Sequence, residues 1–100
     1  MSDLKTFRDS LELIAELCTG EGYEWDEVRV WKYRPSGRVY FYSAGGCSCN
    51  DFWEDLYSLT DLTELREDTW KQLEREAERI DASAPNRIEF LMKARQALKR

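Results

Sequence analysis

Two cysteines separated by one residue, Cys47 and Cys49, have the type and spacing that suggest chemistry. A structural zinc site uses four cysteine or histidine ligands, but only Cys18 remains and the chain has no histidine. A disulfide between residues two apart would be strained and easily reduced. Neighbouring acids would raise a thiol pKa, whereas a helix beginning beyond Cys49 would lower it. The sequence therefore favours two small thiols in a tight turn, with a redox or metal site as the alternative.

Three acidic residues follow these cysteines, namely Asp51, Glu54 and Asp55. Acid–base or magnesium chemistry needs carboxylates that converge in a cleft, with one pKa displaced. Adjacent carboxylates in a short helical turn point in different directions, and an acidic first turn suits the helix dipole. We therefore predict no catalytic residue, no metal site and no cofactor, and we expect that the protein is not an enzyme.

Aromatic and basic residues surround the same stretch. The rings belong to Trp25, Trp31, Tyr33, Tyr40, Tyr42 and Trp53, and the basic residues are Arg29, Lys32, Arg34 and Arg38. Such a surface can stack on single-stranded nucleic acid, but the net charge of −5 disfavours contact with phosphates. Trp, Tyr and Arg are also the usual anchors of protein interfaces. The pattern favours a protein-binding aromatic patch.

The predicted contact surface combines one aromatic face with a glycine-cysteine turn. Two consecutive glycines permit backbone angles that other residues avoid, and an asparagine can cap the helical turn after them. The predicted binding residues are Trp31, Tyr33, Tyr40, Tyr42, Gly45, Gly46, Cys47, Cys49, Asn50, Trp53 and Glu54.

Length and composition predict one domain over residues 1–100, because a chain of this size can bury its own core. Three cysteines form an odd set, which is typical of a reducing cytoplasm. The first residues lack the apolar run of a signal peptide. No stretch approaches the roughly 20 apolar residues of a membrane span, so we expect no membrane contact.

An N-terminal helix is predicted by apolar residues at spacings of three and four. The stripe consists of Leu4, Phe7, Leu11, Ile14 and Cys18, and Leu17 widens it. Gly20 can end this helix in a left-handed conformation. Cys18 is then expected to be a small buried residue of the last turn.

An antiparallel β-hairpin is predicted next, from alternation in residues 28–34 and 38–43 around a three-residue loop, Pro35-Ser36-Gly37. This loop would place Tyr33 opposite Val39. One face would carry Trp31, Tyr33, Val39 and Phe41, and the other would carry Val28, Val30, Tyr40 and Tyr42. Because neither face is polar, we expect helices to cover one fully and the other partly, with room for a third short strand.

Two C-terminal helices complete the predicted α+β fold. Thr69 and Gln72 have the spacing of a capping box, which opens a helix ending near Asp81. Residues 58–65 are predicted to form one helical turn followed by extended chain. A last helix starts near Pro85, and its expected core residues are Ile88, Phe90, Leu91, Ala94 and Leu98.

The segment Gly46-Cys-Ser-Cys-Asn-Asp-Phe-Trp-Glu-Asp55, with Ser58-Leu-Thr-Asp-Leu62 after it, resembles a group of small uncharacterised proteins from phages of actinobacteria, mycobacteriophages among them. The resemblance covers roughly residues 28–65 and brings no activity with it. It implies a phage origin, a bacterial host cytoplasm and action on a host component.

Together these observations predict a small non-enzymatic interaction protein that binds a host bacterial protein. A thiol-based redox or metal site at Cys47 and Cys49 is the first alternative. A nucleic-acid binder or an acidic mimic of nucleic acid is the second. The sequence also leaves open a homodimer.

Overall fold

The computed structural model describes residues 3–21, 24–47, 52–53, 56–80 and 84–99. Its elements are α1 (Asp3–Asp9), β1 (Leu11–Glu21), β2 (Glu24–Tyr33), β3 (Arg38–Cys47), a short 3₁₀ helix (Leu59–Asp61), β4 (Thr63–Glu64), α2 (Trp70–Ile80) and α3 (Ala84–Leu98). Within these residues four strands form an antiparallel sheet in the order β1-β2-β3-β4. The α+β class is confirmed, but the sheet is larger than the predicted hairpin.

The predicted N-terminal helix is wrong beyond its first two turns. α1 ends at Asp9, and residues 11–21 form β1. Its pairing with β2 is interrupted between Leu13 and Ala15 by a bulge, which adds one residue to one strand. Leu11 therefore faces one side of the sheet, whereas Ala15 and Leu17 face the other. The added residue breaks the period of two, and the resulting spacing resembles that of a helix.

The end of α1 is fixed by the hairpin loop. The last carbonyl groups of a helix lack partners within it. Here Arg34 donates its backbone N–H to the carbonyl of Ser10 at 2.9 Å and its Nη1 to that of Asp9 at 2.9 Å. The Ser10 hydroxyl donates to the Thr6 carbonyl at 2.8 Å. These bonds stop the helix where β1 must begin.

The predicted register of the hairpin is also wrong, by one residue. The loop contains the four residues 34–37, and Tyr33 lies opposite Arg38 rather than Val39. Gly37 has the expected left-handed conformation, with φ of 75°, and its N–H donates to the Tyr33 carbonyl at 2.8 Å. A slip of one residue exchanges the two faces of a strand. Trp31, Tyr33, Tyr40 and Tyr42 consequently share one face, and Val28, Val30, Val39 and Phe41 share the other.

The sheet therefore has two apolar cores, one on each side. One face of the sheet, the helix-covered face, packs against α2 and α3. The core between them contains Ala15, Leu17, Val28, Val30, Val39, Phe41, Leu65, Leu73, Ala77, Ile80, Phe90 and Ala94. The core on the aromatic face lies between the sheet, α1 and positions 52–53 and 56–62. Its buried residues are Phe7, Leu11, Trp31, Phe52, Leu56 and Leu62.

Residues 58–65 match the prediction of one helical turn followed by extended chain. The 3₁₀ helix begins after Ser58, where the Asp61 carboxylate accepts N–H groups from Tyr57 at 2.9 Å and Ser58 at 3.1 Å. The extended chain after it forms β4, which pairs with Tyr40 and Phe41 of β3. Through β4, this segment is held against the β3 edge of the sheet.

α2 has the expected bounds, and its expected stripe is buried at Leu73, Ala77 and Ile80. The Thr69 hydroxyl before it reaches back to the loop, accepting the Arg66 N–H at 2.8 Å and donating to the Glu64 carbonyl at 2.7 Å. Among the described helices, none has the length and apolarity needed to cross a membrane.

Candidate functional site

The predicted contact aromatics form much of the core on the aromatic face. Trp31 is only 2% exposed, and Tyr33, Tyr40 and Tyr42 are half-buried. The rings of Tyr33 and Tyr40 meet edge to face, with centroids 6.4 Å apart. Such tilted contacts stabilise a packed aromatic cluster. The structure thus brings these four residues together, but it leaves little of Trp31 for a partner.

Phe52 and Trp53 pack against this cluster through the ring of Trp31. The ring of Trp31 lies 5.9 Å from Phe52 and 5.5 Å from Trp53, measured between centroids. The Arg29 guanidinium lies 4.2 Å from the centroid of Phe52, and that of Arg8 lies 4.8 Å from Trp53. Cations over aromatic faces are attracted to the negative π-system. Trp53 is therefore held as a half-buried part of the fold.

Arg8 joins α1 to this cluster by a second contact. Its Nη2 donates to the Trp53 carbonyl at 3.2 Å. Its Nε is buried and has no hydrogen-bond partner among the described residues. The position of Trp53 thus depends on both α1 and β2.

Three of the four basic residues beside the aromatics already have partners. Arg29 pairs with Glu27 and lies 3.7 Å from the Glu16 carboxylate. Arg38 lies 3.7 Å from the Glu64 carboxylate, and Arg34 caps α1 as described above. A surface that binds phosphate needs cations that remain available to it.

Part of the predicted glycine-cysteine turn belongs to a strand instead. Gly45, Gly46 and Cys47 belong to β3, opposite Asp26, Trp25 and Glu24, so their assignment to the turn was wrong. Continued pairing with β2 extends this strand beyond the predicted end. The other predicted contact residues in this region, Cys49, Asn50 and Glu54, lie outside the described residues, as does the side chain of Cys47.

Gly45 has a role in the strand that its sequence context did not reveal. A β-carbon there would meet the Asp26 carboxylate and would lie 3.1 Å from the Trp25 carbonyl oxygen. Asp26 in turn accepts a bond from Arg79 Nη1 of α2 at 3.1 Å. The absent side chain therefore makes room for an ion pair that ties β2 to α2.

Replacing Gly45 by alanine is expected to lower the free energy of unfolding by about 1 kcal/mol, because the methyl group must displace the Asp26 carboxylate. Urea denaturation of the variant and its parent measures the loss. The matched control is Gly45→Ala in an Asp26→Ala background, where the cost should largely disappear. An equal loss in both backgrounds would contradict this explanation.

The same ion pair extends to β3. Arg79 Nη2 donates to the Glu76 carboxylate at 2.8 Å, and the Ser43 hydroxyl donates to it at 2.7 Å. Burial would raise the pKa of Glu76, but the hydrogen bonds from Arg79 and Ser43 and the charge of Arg79 outweigh it and lower the pKa. The charged carboxylate is therefore the form that links α2 to the sheet.

Cys18 is not the buried core residue that the sequence predicted. It lies on β1 opposite Glu27, and its free thiol is exposed. Burial raises the pKa of this thiol, the carboxylates of Glu27 and Glu16 raise it further, and Arg29 opposes them. The thiol is thus protonated at neutral pH. Among the described residues, no three side chains of metal-ligating type form a group that could hold a metal ion.

The outer face of α3 carries an apolar surface that the sequence did not reveal. Ile88 is 52% exposed and Met92 is 57% exposed, one helical turn apart. Phe90 and Ala94, on the opposite side of the helix, are buried against the sheet. The expectation that Ile88 belongs to the core is therefore wrong. The available signal was that α3 has more apolar residues than one stripe requires.

Comparison with known proteins locates the chain within a family. No curated protein and no solved structure was found to match it. The model of a domain of unknown function, DUF7574, matches residues 1–98. This agrees with the resemblance to an uncharacterised group and extends well beyond the segment that carried the resemblance. The chain belongs to the DUF7574 family.

Proposed function

We propose that this protein is a non-enzymatic interaction protein that binds another protein through the outer face of α3. The observation that carries the proposal is the exposure of Ile88 and Met92 on a helix whose opposite side is buried. Exposed apolar side chains that lie close together mark a candidate contact surface. The sheet covers one side of α3, so a partner is expected to cover the other.

The surroundings of Ile88 and Met92 resemble the anatomy of an interface. A shallow depression joins these two side chains to Pro85, Glu89, Lys93 and Gln96. Glu89 and Lys93 form an ion pair of 3.2 Å at its rim. An apolar centre with a polar rim is typical of protein contacts, and a flexible methionine adapts well to a partner surface.

The resemblance to phage proteins supports the kind of partner. The resemblance implies a phage origin and action on a host component, so we propose a host protein in the bacterial cytoplasm as the partner. The pairing of Arg29 and Arg38 with carboxylates supports a protein over a nucleic acid. The aromatic face is expected to contribute less than α3, because its central ring, Trp31, is buried.

The double variant Ile88→Ser with Met92→Ser is expected to reduce capture of a specific host protein by at least about tenfold. Both side chains are exposed, so stability should change by no more than about 0.5 kcal/mol. The measurement is affinity purification from an actinobacterial lysate with quantitative mass spectrometry, accompanied by circular dichroism of the bait.

The matched control is Tyr57→Ser, which removes an exposed apolar side chain near the aromatic face. Tyr57 is 63% exposed, and its replacement should leave capture unchanged. Undiminished capture by the α3 variant would contradict the proposal. Loss with Tyr57→Ser alone would move the contact surface to the aromatic side of the sheet.

A further inference from the structure

β1 offers a second contact surface next to α3. It is an edge strand, since among the described residues it pairs with β2 alone. The far side of an edge strand presents N–H and C=O groups that can pair with another chain. The bulge disturbs its first part, but from Ala15 onward the pairing with β2 is regular through Glu21. This regular part is therefore the candidate template for another strand.

A groove of about 290 Å³ follows this part of β1. It contacts four consecutive β1 residues, Ala15, Glu16, Leu17 and Cys18, together with α3. Consecutive residues of a strand point to opposite faces, so a cavity that touches all four lies at the open edge of the sheet. A groove between an edge strand and a helix is suited to an extended peptide that adds a strand.

The lining of the groove favours particular side chains in such a peptide. This lining includes the buried Leu17 and Phe90 and the charged Glu16, Glu89 and Lys93. The Glu16 side chain is 50% exposed, and Arg29, the cation near it, already pairs with Glu27. The Glu89 carboxylate pairs with Lys93 and is also exposed to solvent. With Glu16 and Glu89 against Lys93, the charged side chains of the groove lining are net negative.

We infer that β1 binds an extended segment of the partner protein, with alternating apolar and basic residues, as an added strand beside residues 15–21. The inference rests on the proposed function, since it states how a partner protein is held. Glu89 and Lys93 line both this groove and the depression around Ile88 and Met92, so one partner can cover both surfaces.

A second copy of this chain is the less suitable occupant. Antiparallel pairing of β1 with itself around the groove would bring the two copies of Glu16 near each other, and like charges across strands are destabilising. Each copy also carries a net charge of −5. The acidic edge is better matched by lysine and arginine.

The test uses a fluorescent peptide of alternating lysine and valine and the full chain. We expect saturable binding by fluorescence anisotropy at low salt. Amide chemical shifts should change in residues 15–21 and along α3. A peptide with N-methyl groups on alternate backbone amides keeps its charge but cannot form the strand pairing. We expect it to bind at least about tenfold more weakly.

The protein variant for this test is Glu16→Lys, and its matched control is Glu74→Lys on the exposed side of α2. Reversing the charge at the edge should weaken peptide binding about tenfold or more, whereas the control should bind as the parent does. No saturable binding, equal binding of the N-methylated peptide, or equal weakening by both variants would overturn the inference. The comparison of the two peptides needs only the parent protein.

Three further outcomes distinguish this inference from a homodimer and from the proposed function. Light scattering that shows a dimer dissolved by Glu16→Lys would assign the edge to a second copy and would overturn it. Host protein capture that depends on Ile88 and Met92, without peptide binding at β1, would refute the inference and retain the proposed function. Peptide binding at β1, with host protein capture unaffected by replacement of Ile88 and Met92, would refute the proposed function and retain the inference.

Discussion

Replacement of Trp31 by alanine is expected to lower the free energy of unfolding by about 3–5 kcal/mol. The indole is 2% exposed and packs against both Phe52 and Trp53. Its removal leaves a cavity beneath rings that also support the guanidinium groups of Arg29 and Arg8. A domain of this size has about 5–15 kcal/mol of stability in total, so the variant should lose a large part of it.

Urea denaturation followed by circular dichroism measures this effect. Tyr57→Ala is the matched control, because it removes an aromatic ring that is largely exposed, and it should change stability by no more than about 0.5 kcal/mol. A Trp31→Ala protein with parental stability and lost partner binding would show that Trp31 is a contact residue, as the sequence suggested, and not a core residue.

The second large effect concerns β1. Replacement of Leu17 by alanine is expected to cost about 2–5 kcal/mol, because its side chain is buried between the sheet and α3. Replacement of Cys18 by alanine should change stability by no more than about 0.5 kcal/mol, because its thiol is exposed. The two neighbours are thus expected to differ strongly.

This pair of variants distinguishes a strand from a helix. In the helix that the spacing predicts, Leu17 and Cys18 lie on the same apolar stripe and both replacements should be costly. In a strand they point to opposite faces. Similar losses measured by chemical denaturation in the two variants would contradict the assignment of residues 11–21 to β1.

α2 could be predicted because its periodicity is regular. α2 carries Leu73, Ala77 and Ile80 at spacings of four and three, with charged residues between them, and the structure buries all three. β1 could not be predicted, since the bulge before Ala15 shifts its apolar residues from one side of the sheet to the other. No single period describes a strand that supplies both cores.

The hairpin shows a different limit. Its two strands were identified. Because both faces of the hairpin are apolar, burial of one face does not decide how the two strands pair. Loop length then decides the pairing, and residues 34–37 form a loop one residue longer than predicted. That difference moved Tyr40 and Tyr42 to the side of Trp31. The aromatic cluster was therefore foreseen in its members but not in its geometry.

The exposed surface of α3 could not be found from sequence. Ile88 and Phe90 are both apolar, and only the direction in which α3 meets the sheet decides which is buried. The β1 groove likewise required knowledge of the strand order.

The order of the strands has a consequence for how the chain folds. Each strand of the sheet pairs with the strand that precedes it in the chain, so every pairing closes a loop of modest length at a small entropic cost. Contacts between sequence neighbours speed folding. We expect the hairpins of β1, β2 and β3 to form first, and α2 and α3 to dock afterwards on a surface that is already assembled.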